Sequence, residues 1–128
     1  MNLLLDTHLL LWVSEGSSHL SAATRRMIVN RANELVFSVA SIWEIGIKQQ
    51  MGLPDFHADP GVVRNALLEN GYTELDIAGR HVLSGASLPP IHKDPFDRIL
   101  IAQAMIEGVI LLTVDPVIAR YPGPIRKV

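Results

Sequence analysis

The chain has 128 residues, 48% of them apolar and 19% charged, with a formal net charge of −2 and no cysteine. That length fits one compact domain that buries a core without disulfides or a structural metal. The charge excludes a polycation that attracts nucleic acid over its whole surface, and the missing cysteine excludes thiol nucleophiles, cysteine-based zinc sites and a disulfide framework.

Residues 3–5 read as a short buried strand that stops at Asp6, and residues 7–13 as a helix that follows directly. Ser21 has the chemistry of an N-cap for a helix reaching about Ala32. A second strand is expected over residues 35–38 and a helix over 40–51, closed by Gly52-Leu-Pro54. Asp59-Pro60 reads as an N-cap followed by proline at the first helical position, opening a helix to about Glu69. A third strand is expected over residues 72–75, a short helix over 79–84, and then the loop from Leu88 to His92. Asp94-Pro95 repeats the capping pattern and opens a helix through Glu107, with Gly108 as its stop. A fourth strand follows over residues 109–113; Asp115-Pro116 opens one more short helix, and Ile125 lies on a last strand.

Short apolar strands alternating with helices predict an α/β fold, a parallel sheet covered by helices on both faces. The sequence has no repeat, low-complexity stretch or linker, so residues 1–128 are expected to form a single domain. No apolar run reaches the roughly 20 residues of a membrane span. The apolar opening from Met1 to Val13 lacks a basic leading segment and is broken by Asp6, which argues against export and for a cytoplasmic protein.

Four acidic residues share one kind of address. Asp6 ends the first strand, Glu44 and Asp97 fall in the first turns of helices, and Asp115 follows the fourth strand. Ligands of open parallel sheets bind beyond the carboxyl ends of the strands, where strand order reverses. If the first and fourth strands are neighbours, all four side chains converge there. Carboxylates so gathered repel and raise one another's pKa, a conflict that a hard divalent cation resolves. Each residue also has a plainer role. Asp6, Asp94 and Asp115 have the chemistry of N-caps, Ser41 to Glu44 matches a capping box, and Asp97 suits a first helical turn. Capping does not by itself account for the carboxylate of Asp6 inside an apolar strand-to-helix junction, which is costly unless paired or metal-bound.

Lys48 stands one turn after Glu44, either as an exposed ion pair or as a phosphate contact. Arg98 pairs with a carboxylate or touches a polyanion; the sequence leaves both open. His8 and His92 flank acidic motifs and read as structural or hydrogen-bonding groups. Trp12 and Trp43 read as core residues. There is no Walker loop, G-x-G-x-x-G or G-x-S-x-G, so nucleotide-driven motors, dinucleotide oxidoreductases and serine hydrolases lack support.

The segment Leu4-Leu-Asp-Thr-His-Leu-Leu-Leu-Trp12 resembles the opening of PIN-domain proteins, in particular the VapC-like toxins of bacterial toxin–antitoxin pairs. Ser38-Val-Ala-Ser-Ile-Trp-Glu-Ile-Gly-Ile-Lys48 is similar to their second acidic motif, and His92-Lys-Asp-Pro-Phe-Asp-Arg-Ile-Leu-Ile-Ala-Gln-Ala104 to their third. Leu112-Thr-Val-Asp115 is similar to the fourth. The resemblance implies a mostly parallel five-stranded sheet and endoribonuclease activity with Mg²⁺ or Mn²⁺. Asp6, Glu44, Asp97 and Asp115 would be the catalytic, metal-holding carboxylates. It further implies an RNA substrate, a cognate antitoxin and a homodimer. Two rivals remain: a non-catalytic module that binds RNA or protein on the same fold, and a phosphatase acting on small esters. Asp6-Thr-His8, with no D-x-D nucleophile, disfavours the phosphatase.

Overall fold

The computed structural model describes residues 1–128. Its strands are β1 (Asn2–Leu5), β2 (Glu34–Ser38), β3 (Thr73–Leu75), β4 (Ile110–Thr113) and β5 (Ile125–Lys127). Its helices are α1 (Thr7–Glu15), α2 (Ala22–Val29), α3 (Val39–Gln50), α4 (Pro60–Glu69), α5 (Gly79–Ser87) and α6 (Pro95–Glu107), with a 3-10 turn at Ile118–Arg120. The expected α/β architecture holds. The five strands form one sheet in the order β3-β2-β1-β4-β5, and every pair is parallel.

β1 is the axis of the sheet. Leu4 pairs with Val36 on one side and with Leu111 on the other. Side chains alternate across a strand, so the three leucines of β1 serve both faces. Leu3 and Leu5 join Leu9, Leu10, Phe37, Ile45 and Leu67 in the core under α1, α3 and α4. Leu4 joins Val36, Leu111 and the α6 residues Leu100, Ile101 and Ala104 in the core of the opposite face. A strand buried on both faces reads as a continuous apolar run, which is why Leu3 to Leu5 does not alternate.

The caps decide where the helices begin. Ser21, Asp59 and Asp94 each accept backbone N–H groups as predicted. α2 stops at Val29, short of the expected Ala32, because Asn30 turns extended and its side chain accepts from the Ala32 N–H. Asp115 opens no helix directly. Its Oδ1 accepts from the Val117 N–H at 2.7 Å, a local turn that precedes the 3-10 segment. The capping box at Ser41 is also corrected. Ser38 is the N-cap of α3, accepting from the Ala40 N–H, so β2 runs straight into the helix. Glu44 therefore sits in the second turn, not the first. No helix is long and apolar enough to cross a membrane.

Leu4 is fully buried between the two sheet neighbours and α6. Leu4→Ala is expected to lower unfolding free energy by about 2–5 kcal/mol, the usual range for a cavity of that kind, as read from urea titration.

Candidate metal centre

The carboxyl ends of β1 and β4 lie side by side, with Leu5 opposite Leu112, and the Asp6 N–H extends that ladder to the Leu112 carbonyl at 3.0 Å. The chain builds β1, β2 and β3 outward in one direction and returns to β1's other flank for β4. Strand order reverses at this seam, and the acidic residues gather on its edge.

Asp6 is 3% exposed. Its Oδ1 caps α1 by accepting from the Leu9 N–H at 2.9 Å. Its Oδ2 accepts from the Thr113 hydroxyl at 2.6 Å and from the Val114 N–H at 3.2 Å. The plain capping role and the site address thus belong to one side chain. Burial raises the Asp6 pKa, and these hydrogen bonds oppose the rise.

Glu44 is equally buried, on the face of α3 turned toward α1. Its Oε1 accepts from the Thr7 hydroxyl at 2.6 Å, and its Oε2 pairs with Lys48. Thr7 also lies 2.9 Å from the Ser41 hydroxyl, so Ser41 serves this network and not a cap. The Lys48 ammonium reaches a second carboxylate, Asp94 Oδ2, at 3.6 Å. The exposed i,i+4 pair expected from sequence is instead a half-buried bridge between α3 and α6. Burial favours loss of the Lys48 proton, but Glu44, Asp94 and Asp97 outweigh it and hold the pKa above its ordinary value.

Asp97 and Asp115 face His92, which the sequence leaves as a structural or hydrogen-bonding group. His92 Nε2 lies 2.8 Å from Asp97 Oδ2 and 3.3 Å from Asp115 Oδ2. Its Nδ1 accepts from the Asp94 N–H at 3.3 Å, which leaves the Nε2 hydrogen directed at the two carboxylates. Ligand atoms of His92, Asp97 and Asp115 all lie within 4.8 Å of one another. Asp6 and Glu44 flank this trio without entering it. No spacing rule finds His92, because its approach depends on the loop before α6. Arg98 shapes that loop. Its guanidinium donates to the carbonyls of Gly85, Leu88, Pro89 and His92 at 2.9–3.1 Å. Arg98 is thus a clamp on backbone and makes no carboxylate pair.

Asp97 accumulates the unbalanced charge. Burial first, then Asp94, Glu44, Asp115 and Asp6, push its pKa up to about 8. All four acidic positions predicted from sequence therefore lie at one edge. The donor set fits a divalent cation: carboxylate oxygens suit Mg²⁺ and Mn²⁺, and a cation beside Asp97 would offset both its burial and the repulsion of its neighbours. A surface depression of about 670 Å³ between α3 and α4 contains none of these carboxylates. Trp43 lines it and is 63% exposed, packed edge-on against Phe96 at 5.3 Å, so it is a surface residue and not a core one. Trp12 does pack against the core, as expected. His8 packs edge-on against Trp12 and Phe56, a structural role.

An open, all-parallel α/β sheet with a carboxylate-lined switch point is the class that fold and site define. Within it, the chain belongs to the PIN domain family, whose model matches residues 3–124. Similar solved structures include VapBC2 from Rickettsia felis bound to a DNA fragment from their promoter, at TM-score 0.72 and 13% identity over 99% of this chain and 98% of that one. DNA-bound VapBC from Salmonella typhimurium matches at TM-score 0.66 and 16% identity, with the same coverage. VapBC-1 from nontypeable Haemophilus influenzae matches at TM-score 0.56 and 18% identity over 88% of this chain and 86% of that one. At such identities the likeness is one of fold. No curated protein matches the chain.

An acid held near 8 when folded and at 3.8 when unfolded takes up a proton on folding between those values. The Asp97 contribution to stability is therefore fully present below about pH 4 and is lost as pH rises toward 8, by at most about 1.4 kcal/mol per pH unit. In chelator, wild type should lose stability relative to Asp97→Asn between pH 5 and pH 8. Parallel stability curves from urea unfolding would contradict the assignment.

Proposed function

We propose that this protein is a metal-dependent endoribonuclease and the toxin of a toxin–antitoxin pair. The observation that carries the reading is the trio of His92, Asp97 and Asp115, with ligand atoms within 4.8 Å, beside the charged flanks Asp6 and Glu44. Asp97 and Asp115 would hold Mg²⁺ or Mn²⁺, and Asp6 and Glu44 would reach it directly or through water. When bound, such an ion lowers the pKa of a water and stabilises charge on a scissile phosphate.

The chain's own residues supply the rest. Asp6 ties the α1 N-terminus to the end of β4, so the two carboxylate-bearing segments keep one spacing. His92 holds Asp97 and Asp115 toward each other. One of the carboxylates accepts the proton released by the attacking water. The hydroxyls at this edge, Thr7, Ser41 and Thr113, are buried and hydrogen-bonded, which favours hydrolysis by water. RNA as substrate rests on the resemblance of the four motifs to VapC-like toxins. The same resemblance, joined to fold likeness to VapBC structures, supports an antitoxin partner; the homodimer rests on the resemblance alone, and a cytoplasmic setting on the Asp6-broken apolar opening.

Purified protein is expected to cleave defined RNAs in Mg²⁺ or Mn²⁺ and to stop when chelator is added. Binding without cleavage, insensitive to chelator, would instead identify a non-catalytic module. Asp6→Asn should abolish cleavage while leaving the circular dichroism spectrum unchanged and stability within about 2 kcal/mol, the scale of a lost cap and hydrogen bond. Full activity in that variant would remove Asp6 from the mechanism.

A further inference from the structure

Lys48 is the one lysine or arginine in ion-pair contact with the acidic edge. It bridges Glu44 Oε2 and Asp94 Oδ2, the latter at 3.6 Å, from two helices that converge there. Its ammonium lies 5.2 Å from the centre of the Phe56 ring and 6.0 Å from that of Phe96, on two further flanks. Aromatic faces hold a cation in place without neutralising it. Both Glu44 oxygens already have close partners: Oε1 accepts from Thr7 and Oε2 from Lys48. The charge at this edge thus divides into two halves. The Glu44–Asp94 half already contains a fixed cation, whereas the Asp97–Asp115 half has only the His92 Nε2 hydrogen.

We infer that Lys48 is a built-in counter-ion that occupies the place of a second divalent cation, so that the centre takes one ion and Glu44 does not ligate it. The inference rests on the metal-dependent reading above and sets its stoichiometry. Two-metal hydrolytic centres clamp the attacking and leaving oxygens between two ions. Here the second positive charge is covalently part of α3. It needs no ion from solution and stays fixed at Glu44 and Asp94. A lysine that merely stabilised α3 through Glu44 would contribute a few tenths of a kcal/mol and leave ion count untouched.

The test counts ions, with Mn²⁺ as the probe, by calorimetry and by electron paramagnetic resonance on the chelator-stripped full chain. Wild type should bind one Mn²⁺ per chain. Lys48→Met, which keeps the stem and removes the charge, should bind two, with the second lost again in Lys48→Met/Glu44→Gln. Lys48→Arg should return the count to one. Two ions on wild type, or one on folded Lys48→Met, would overturn the inference. If Lys48→Met does not fold, Glu44→Gln decides: Mn²⁺ affinity within tenfold of wild type supports the inference, and a larger loss makes Glu44 a ligand and overturns it. No Mn²⁺ binding by wild type overturns the metal-dependent reading itself, a different outcome from a count of two.

Discussion

Like charges confined to one edge of a parallel sheet set the terms for the rest of this structure. Three of the carboxylates there have backbone N–H donors of their own. Asp6 caps α1 and accepts from β4 and the residue after it, Asp94 caps α6, and Asp115 closes a turn. Glu44 is held by the Thr7 hydroxyl and by Lys48. Asp97 alone lacks a backbone, hydroxyl or permanently charged partner and depends on His92. The strain of repulsion is therefore not spread evenly. It collects on the one carboxylate whose sole close partner is a histidine.

The fold serves this arrangement through β1. Its three leucines are fully buried, on alternating faces, so the strand cannot shift register without exposing a core. Fixed register brings the ends of β1 and β4 level, and the Thr113 hydroxyl meets Asp6 for that reason. On the other side, β2 passes into α3 with only Ser38 as a cap, which swings Glu44 inward and aligns Lys48 one turn later. Arg98 completes the frame by binding four carbonyls around the loop that carries His92. Capping, packing and site geometry are the same contacts seen at different scales.

Much of this was legible in the chain itself. Continuous apolar strands, the Asp-Pro capping pairs at Asp59 and Asp94, and the glycine stop at Gly108 are local signals, decided by backbone sterics and hydrogen bonding within a few residues. The address shared by Asp6, Glu44, Asp97 and Asp115 followed from those elements together with the rule for parallel sheets. Local signals also misled. Ser41 has capping chemistry, yet a serine three residues earlier caps the helix, and Ser41 is buried beside Thr7. Trp43 lies on an apolar stretch, yet its helix face looks outward.

Sequence alone thus determined the element types, the parallel α/β class and which carboxylates lie at strand ends, because those follow from short-range periodicity and caps. Tertiary structure alone decided that His92 joins Asp97 and Asp115, that Lys48 spans two helices, and that Arg98 binds backbone carbonyls. These depend on how a loop and two helices meet across the sheet edge. The distances that matter there run between residues far apart in the chain, and no periodicity encodes them.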